Sequence, residues 1–219
     1  MKICALWTGL ALIGISGLAV GQSLTVDCVT SGGTNCPARI PDSPQPGIVS
    51  SIVIPPAAAT LCSGVSTGTT VSVQLNATHS AVGDLVVSLA NPSSSTSTLL
   101  SNLQGAAGAC QGSDILATFT DTGTAATCGA LDPSVTGMVA PVSPLSALHT
   151  TTGAPAGTWN LTVTDNGNNG DGALNDWSLV ISCGTPPPVP AQLSRTMLAW
   201  MALALVLIGS LVLRLKRRT

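Results

Sequence analysis

Three stretches of this 219-residue chain carry side chains whose types and spacing suggest chemistry. The first is Asp121-Thr122-Gly123, which has the residue types of an aspartic-protease loop or of a subtilisin's aspartate motif. An aspartic dyad needs a second such loop facing the first, because two carboxylates must share one proton, and the chain has no second Asp-Thr-Gly. A subtilisin triad needs His-Gly-Thr and Gly-Thr-Ser elements to bring base and nucleophile together, and neither occurs. Asp-Thr-Gly here reads as turn chemistry after a strand. The second stretch is His79 to Asp84, from which a triad can be drawn with some serine. A loop between sandwich strands offers no nucleophile elbow and no sequence sign of an oxyanion hole. Asp84 is therefore expected to accept backbone N–H groups and fix its own loop.

The third stretch runs from Asp165 to Asp176. Asp165-x-Gly-x-Asn169-Gly170-Asp171 followed by Asp176 puts acidic residues at the first and twelfth positions and glycine at the sixth, as in a calcium loop. The candidate ligands for calcium are Asp165, Asn169, Asp171 and Asp176. Against this, the third position is Gly167 and the flanks are strands; Asn/Asp/Gly runs also arise because they tolerate left-handed backbone. Trp159 and Trp177 could stack on a sugar, but on alternating apolar faces they read as core.

Composition bounds the partners. Between Gln22 and Ser194 the one basic residue is Arg39 against nine aspartates, so one minus nine leaves −8 before histidine. Such a domain repels nucleic acid, which needs Lys and Arg to neutralise its phosphates. Glutamate is absent and lysine occurs only at Lys2 and Lys216, so helix formers are scarce between the ends. Without the first segment the cysteines number six: Cys28, Cys36, Cys62, Cys110, Cys128 and Cys183. An even count in an exported chain favours disulfides, with fifteen possible pairings. Cys110–Cys128 is favoured because the two flank one strand-like run; Cys28–Cys36 closes a short loop, and Cys62–Cys183 ties the body to the last strand. No Cys-x-x-Cys occurs and the histidines are isolated, which disfavours zinc.

The elements that position these residues are strands. Trp159, Leu161 and Val163 alternate with threonine and asparagine, and Trp177, Leu179 and Ile181 alternate with serine around the exception Val180. Val71, Val73 and Leu75, then Leu85, Val87 and Leu89, then Ile115, Ala117 and Phe119 repeat the period. Residues 22–37 show no periodicity and read as a leader. Residues 1–21 read as a signal peptide: Lys2, an apolar run from Ile3 to Val20, then small Ala19 and Gly21. An uncleaved anchor is the alternative, since the run is long. Residues 184–195 form a Pro-rich linker and residues 196–213 an uncharged transmembrane segment. Arg214, Lys216, Arg217 and Arg218 make residues 214–219 a basic tail, which orients the C-terminus to the cytoplasm and the rest outside.

Gly157-Thr-Trp-x-Leu-x-Val-x-Asp165, an acidic loop, then Gly172-x-Leu-x-x-Trp177-x-Leu-x-Ile181 resembles the end of the P domain, or homo B domain, of kexin- and furin-like proprotein convertases. Ile40-Pro-Asp42, His79-x-x-x-Gly83-Asp84-Leu85 and Pro144-Leu-Ser-Ala-Leu148 match further elements of that family in order, and Asn91-Pro92 stands where the family has Ser-Pro. The resemblance covers residues 38–183 and implies an all-β, jelly-roll-like sandwich of about eight strands. It also links the chain to serine endopeptidases, as an accessory that would stabilise a subtilisin-like partner in trans. The hydrophobic C-terminal segment with its basic end, after Val189-Pro190-Ala-Gln-Leu193-Ser194, resembles an IPTL-CTERM or PEP-CTERM sorting signal. That implies an exosortase-like processing partner; a plain single-pass anchor is the alternative. The expectation is a non-catalytic surface module, structural or adhesive, meeting a surface protein or a polysaccharide.

Overall fold

Ten strands alternate apolar and small polar side chains, and pairing them by their apolar faces generates two packed sheets. The computed structural model describes residues 23–56, 70–103, 110–148, 156–168, 170 and 172–182. The strands are β1 (Ser23–Asp27), β2 (Ala38–Ile40), β3 (Ile48–Ile54), β4 (Thr70–His79), β5 (Leu85–Ala90), β6 (Thr96–Ser101), β7 (Ile115–Ala125), β8 (Val135–Ala140), β9 (Gly157–Asp165) and β10 (Gly172–Ser182). One sheet runs β1-β10-β4-β7-β8 with β2 also on β10; the other runs β3-β9-β5-β6. The all-β sandwich expected from the sequence is present, with ten strands among the described residues. The chain divides into two compact units, Met1–Pro186 and Pro187–Thr219, and every described residue lies in the first.

Period-2 alternation places Val71, Val73, Leu75 and Ala77 of β4 and Trp159, Leu161 and Val163 of β9 inside, where they meet Phe119, Leu179 and Ile52. Both tryptophans belong to this core, Trp159 at 0% and Trp177 at 1% exposure, so neither serves as an external stacking platform. The Trp177 Nε1–H donates to Ser50 Oγ at 2.8 Å, and Ser50 in turn donates to the Thr34 carbonyl at 2.8 Å. An inward serine on β3 thus satisfies an indole from the opposite sheet, as a buried Trp requires.

Two features depart from the sequence reading, β1 in the leader and the place of Asp121, and two more go beyond it. The leader contributes β1, whose Leu24 and Val26 pair in register with Ile181 and Leu179 of β10. Five residues with only two apolar positions are too short to register as a period, yet they complete a sheet edge. In β10 the register shifts between Leu174 and Asp176, so Leu174 is buried on the even phase and Trp177, Leu179 and Ile181 on the odd one. Such a bulge flips side-chain parity. β7 and β8 pair in parallel, and Asp121-Thr122-Gly123 lies within β7 rather than in a turn after it.

Disulfides join Cys28 to Cys36 and Cys110 to Cys128, with Cα separations of 6.1 and 5.7 Å. Both pairings match the expectation; Cys62 and Cys183 lie outside the described residues. So do the signal peptide, the linker, the hydrophobic segment 196–213 and the basic tail. Among the described residues no helix is long and apolar enough to cross a membrane.

Candidate functional site

β4 and β9 belong to different sheets, and each ends on a polar residue in phase with its buried apolar row. His79 follows Val71, Val73, Leu75 and Ala77; Asp165 follows Trp159, Leu161 and Val163. The two therefore meet between the sheets at one end of the sandwich. His79 Nε2 lies 3.1 Å from Asp165 Oδ2, and both side chains have 0% exposure. The other ring nitrogen, Nδ1, lies 3.1 Å from the Ala81 N–H and 2.9 Å from the Ala81 carbonyl. A neutral imidazole that donates from Nε2 to the carboxylate and accepts the Ala81 N–H at Nδ1 satisfies both nitrogens.

The surroundings close around this pair. Asp165 Oδ1 accepts the Gly167 N–H at 2.8 Å, and Asp114 Oδ1 accepts the His79 N–H at 2.8 Å. A Cβ on Gly172 would collide with the His79 ring, and one on Gly167 would collide with the Asp84 carboxylate. These glycines permit a close approach that any side chain would block. The Asp84 carbonyl accepts the Asn166 N–H at 2.9 Å, which ties the turn Val82–Asp84 to the loop after β9. Asp84 joins that loop through its main-chain carbonyl, and the partner of His79 is Asp165. The sequence shows two strands that each end in a polar residue in phase with an apolar row, and only the packing of the two sheets sets those residues against each other.

Of the four calcium candidates, the two among the described residues separate. Asp165 sits inside with His79. Asp176 projects from β10 after the bulge, where its Oδ1 accepts the N–H groups of Val29 at 3.3 Å and Trp177 at 2.8 Å. Asn169 and Asp171 lie outside the described residues. Among the described residues, no three His, Cys, Asp or Glu side chains converge on a common point. The loop nevertheless borders a buried acceptor: Asp42 Oδ1 has no hydrogen-bond partner among the described residues, and the next residue, Ser43, donates its N–H to the Gly167 carbonyl at 3.0 Å.

Asp121 holds a structural post. Its two oxygens accept the N–H groups of Leu145 at 2.6 Å and Ser146 at 2.8 Å, capping the short 3₁₀ turn Leu145–Leu148. Gly123 packs directly on the backbone of Val139 and Ala140.

A second carboxylate pair lies on the opposite, solvent-facing side of β10 and went unseen in the sequence, since β1 itself did. Asp27 neighbours Asp176 there. The N–H and hydroxyl of Thr30 hold Asp27 below the usual carboxylate range. Burial, then a hydrogen bond and charge repulsion from Asp27, push Asp176 above it.

The sandwich and its closed His–Asp end can be set against known proteins. No curated protein matches the chain. Among solved structures, the serine protease of Aeromonas sobria in complex with its chaperone is 19% identical at a TM-score of 0.39, covering 75% of this chain and 26% of that one. The same serine protease alone is 18% identical at a TM-score of 0.38, with the same coverage. This chain therefore spans about a quarter of the length of those structures. Residues 68–181, from just before β4 to the end of β10, match the proprotein convertase P-domain family. The match takes in His79, Asp84, Asp165 and both tryptophans and exceeds half of the 219 residues, so the chain belongs to the proprotein convertase P-domain family.

Proposed function

We propose that this protein is an exported, non-catalytic P-domain module that acts at the cell envelope through binding, adhesion or structural support. The observation that carries the reading is the closed state of its buried histidine. Both ring nitrogens of His79 are taken by Asp165 and Ala81, and the ring is out of solvent. A general base must reach the proton it removes, and this one has no free nitrogen to offer. The purified full chain is expected to leave a panel of fluorogenic peptides intact; turnover lost on adding a serine-protease inhibitor would overturn the reading.

The setting follows from the ends of the sequence. Residues 1–21 direct export, residues 196–213 hold the chain in the membrane with its N-terminal side outside, and an exosortase-like protease recognises the tail. Mass spectrometry of the mature protein reports both cleavages and the partner of Cys62. The second reading, an accessory that stabilises a subtilisin-like serine endopeptidase in trans, is favoured by the convertase link of the family. A pull-down that retrieves a co-exported subtilase, with a raised melting temperature for that enzyme, supports it over the first.

Calcium enters as the ion of the loop after β9. With Asp176 drawn away to the outer face, the donors left are Asp165, Asn169 and Asp171. Each oxygen of Asp165 keeps a second lone pair beyond its protein hydrogen bond, and Asp42 Oδ1, which has no partner among the described residues, lies in the adjoining segment. Bound there, calcium would crosslink the loop to the sandwich end. Millimolar calcium after chelation raises the melting temperature if this holds; an unchanged value removes it.

A further inference from the structure

The solvent-facing side of the larger sheet is hollowed into an open groove of about 450 Å³. Strand register sets its floor as two adjacent rows that cross the strands. One row runs Asp27, Ser178, Gln74, Thr118 and Met138 through β1, β10, β4, β7 and β8; the other runs Asp176, Asn76 and Leu116 through β10, β4 and β7. At about 4.8 Å between strands, the five-strand row is about 19 Å long.

Three properties of these rows point to one ligand chemistry. The polar side chains are amides and hydroxyls held in place laterally: Ser178 donates to Gln74 Oε1 at 3.1 Å, and Asn175 donates to Asn76 Oδ1 at 3.2 Å. Both bonds consume amide oxygens and, among the described residues, leave the amide nitrogens of Gln74 and Asn76 unspent. Leu116 at 58% and Met138 at 60% exposure add apolar patches beside them. Among the described residues no Lys or Arg lines the groove, and its charge comes from Asp27 and Asp176. Uncharged polymers with hydroxyl edges and C–H faces fit amide donors next to aliphatic carbon; polyanions are repelled.

We propose that this groove binds a neutral polysaccharide strand, with Gln74 and Asn76 donating to sugar hydroxyls and Leu116 and Met138 packing on C–H faces. The volume favours this over a protein partner. It lies within the about 300–1,000 Å³ of small-ligand clefts, and its one aromatic lining residue, Trp177, has its ring in the core, so no exposed Trp, Tyr or Arg there offers the kind of anchor that dominates protein interfaces. The inference deepens the adhesive reading above and rests on it for its setting alone. Peptide hydrolysis would remove that reading and leave glycan binding standing; absent glycan binding would leave that reading intact.

The test is affinity electrophoresis of the full chain in non-denaturing detergent, through gels containing hydroxyethylcellulose, laminarin or dextran, with polygalacturonate as the anionic control. At least one neutral glucan is expected to retard the protein, and polygalacturonate is expected not to. The double variant Gln74→Ala/Asn76→Ala should raise the apparent Kd at least tenfold with an unchanged melting temperature, and Met138→Lys should weaken binding independently. Migration unaffected by all three glucans overturns the proposal, as does wild-type retardation of the double variant. Binding of hexalysine with every glucan inert also overturns it, in favour of a cationic peptide held by Asp27 and Asp176.

Discussion

Asp165 and Asp176 leave the same Asn/Asp/Gly loop on opposite sides and reach opposite environments. Asp165 ends β9 facing inward, sealed against His79 at 0% exposure. Asp176 enters β10 after a bulge and faces outward beside Asp27 at the rim of the groove. One carboxylate is committed to joining two sheets; the other is held near a second acid on a surface open to ligands. The residue type is the same in both, so the difference comes from strand parity at the place where each side chain leaves its sheet. A buried charge must be matched by specific donors, whereas an exposed one can remain adjustable.

The comparison breaks most severely at the inner pair. His79→Leu strips Asp165 Oδ2 of its partner and leaves a buried acid, with an expected loss of about 3–5 kcal/mol, read by urea denaturation. Next is the disulfide that backs the same end, where the Cys110 carbonyl accepts the Gly83 N–H at 3.1 Å. Cys110→Ala/Cys128→Ala opens an 18-residue separation and should cost about 3 kcal/mol by loss of loop closure. Gly167→Ala drives a methyl group into the Asp84 carboxylate, and overpacking of this kind costs about 1–3 kcal/mol. Differential scanning calorimetry orders these three variants; a Gly167→Ala protein as stable as the parent would mean the loop yields more than its contacts imply.

The outer pair responds in the opposite sense and more weakly. Asp176 is raised above the carboxylate range by burial and by Asp27, so its charged form disfavours the folded state. That penalty is present at neutral pH and disappears as the pH falls through the raised value. Asp176→Asn should therefore raise the melting temperature slightly at pH 7, and the gain should vanish in acid. Asp27 works the other way: Thr30 depresses it, and the stability it contributes at neutral pH is lost as the pH falls below the usual carboxylate range. A gain over the parent that stays the same between pH 4 and 7 would show that Asp176 is not raised above the carboxylate range.

Sequence reading reached the inner region more fully than the outer one. Trp159, Leu161 and Val163 announce their burial by alternation, and Cys110 and Cys128 their pairing by flanking one strand. The role of Asp121 as a helix-turn cap was hidden, because its acceptors' partners, Leu145 and Ser146, lie about two dozen residues away. The groove was hidden for a related reason. Gln74, Thr118 and Ser178 are unremarked polar positions within their own strands and become a row only when three strands are set in register.

What the sequence determined by itself is local: strand periodicity, the acidic charge balance between Gln22 and Ser194, and the motif order that marks the family. These are properties of neighbours along the chain, and alternation at period 2 needs no partner to be read. Tertiary structure alone decided that the leader completes a sheet as β1, that His79 takes Asp165 rather than Asp84, and that a one-residue bulge sends Asp176 outward. Each of these depends on which strand pairs with which and in what register. A shift of one residue exchanges the two faces of a strand, so the fate of a side chain is settled by the pairing and not by its identity.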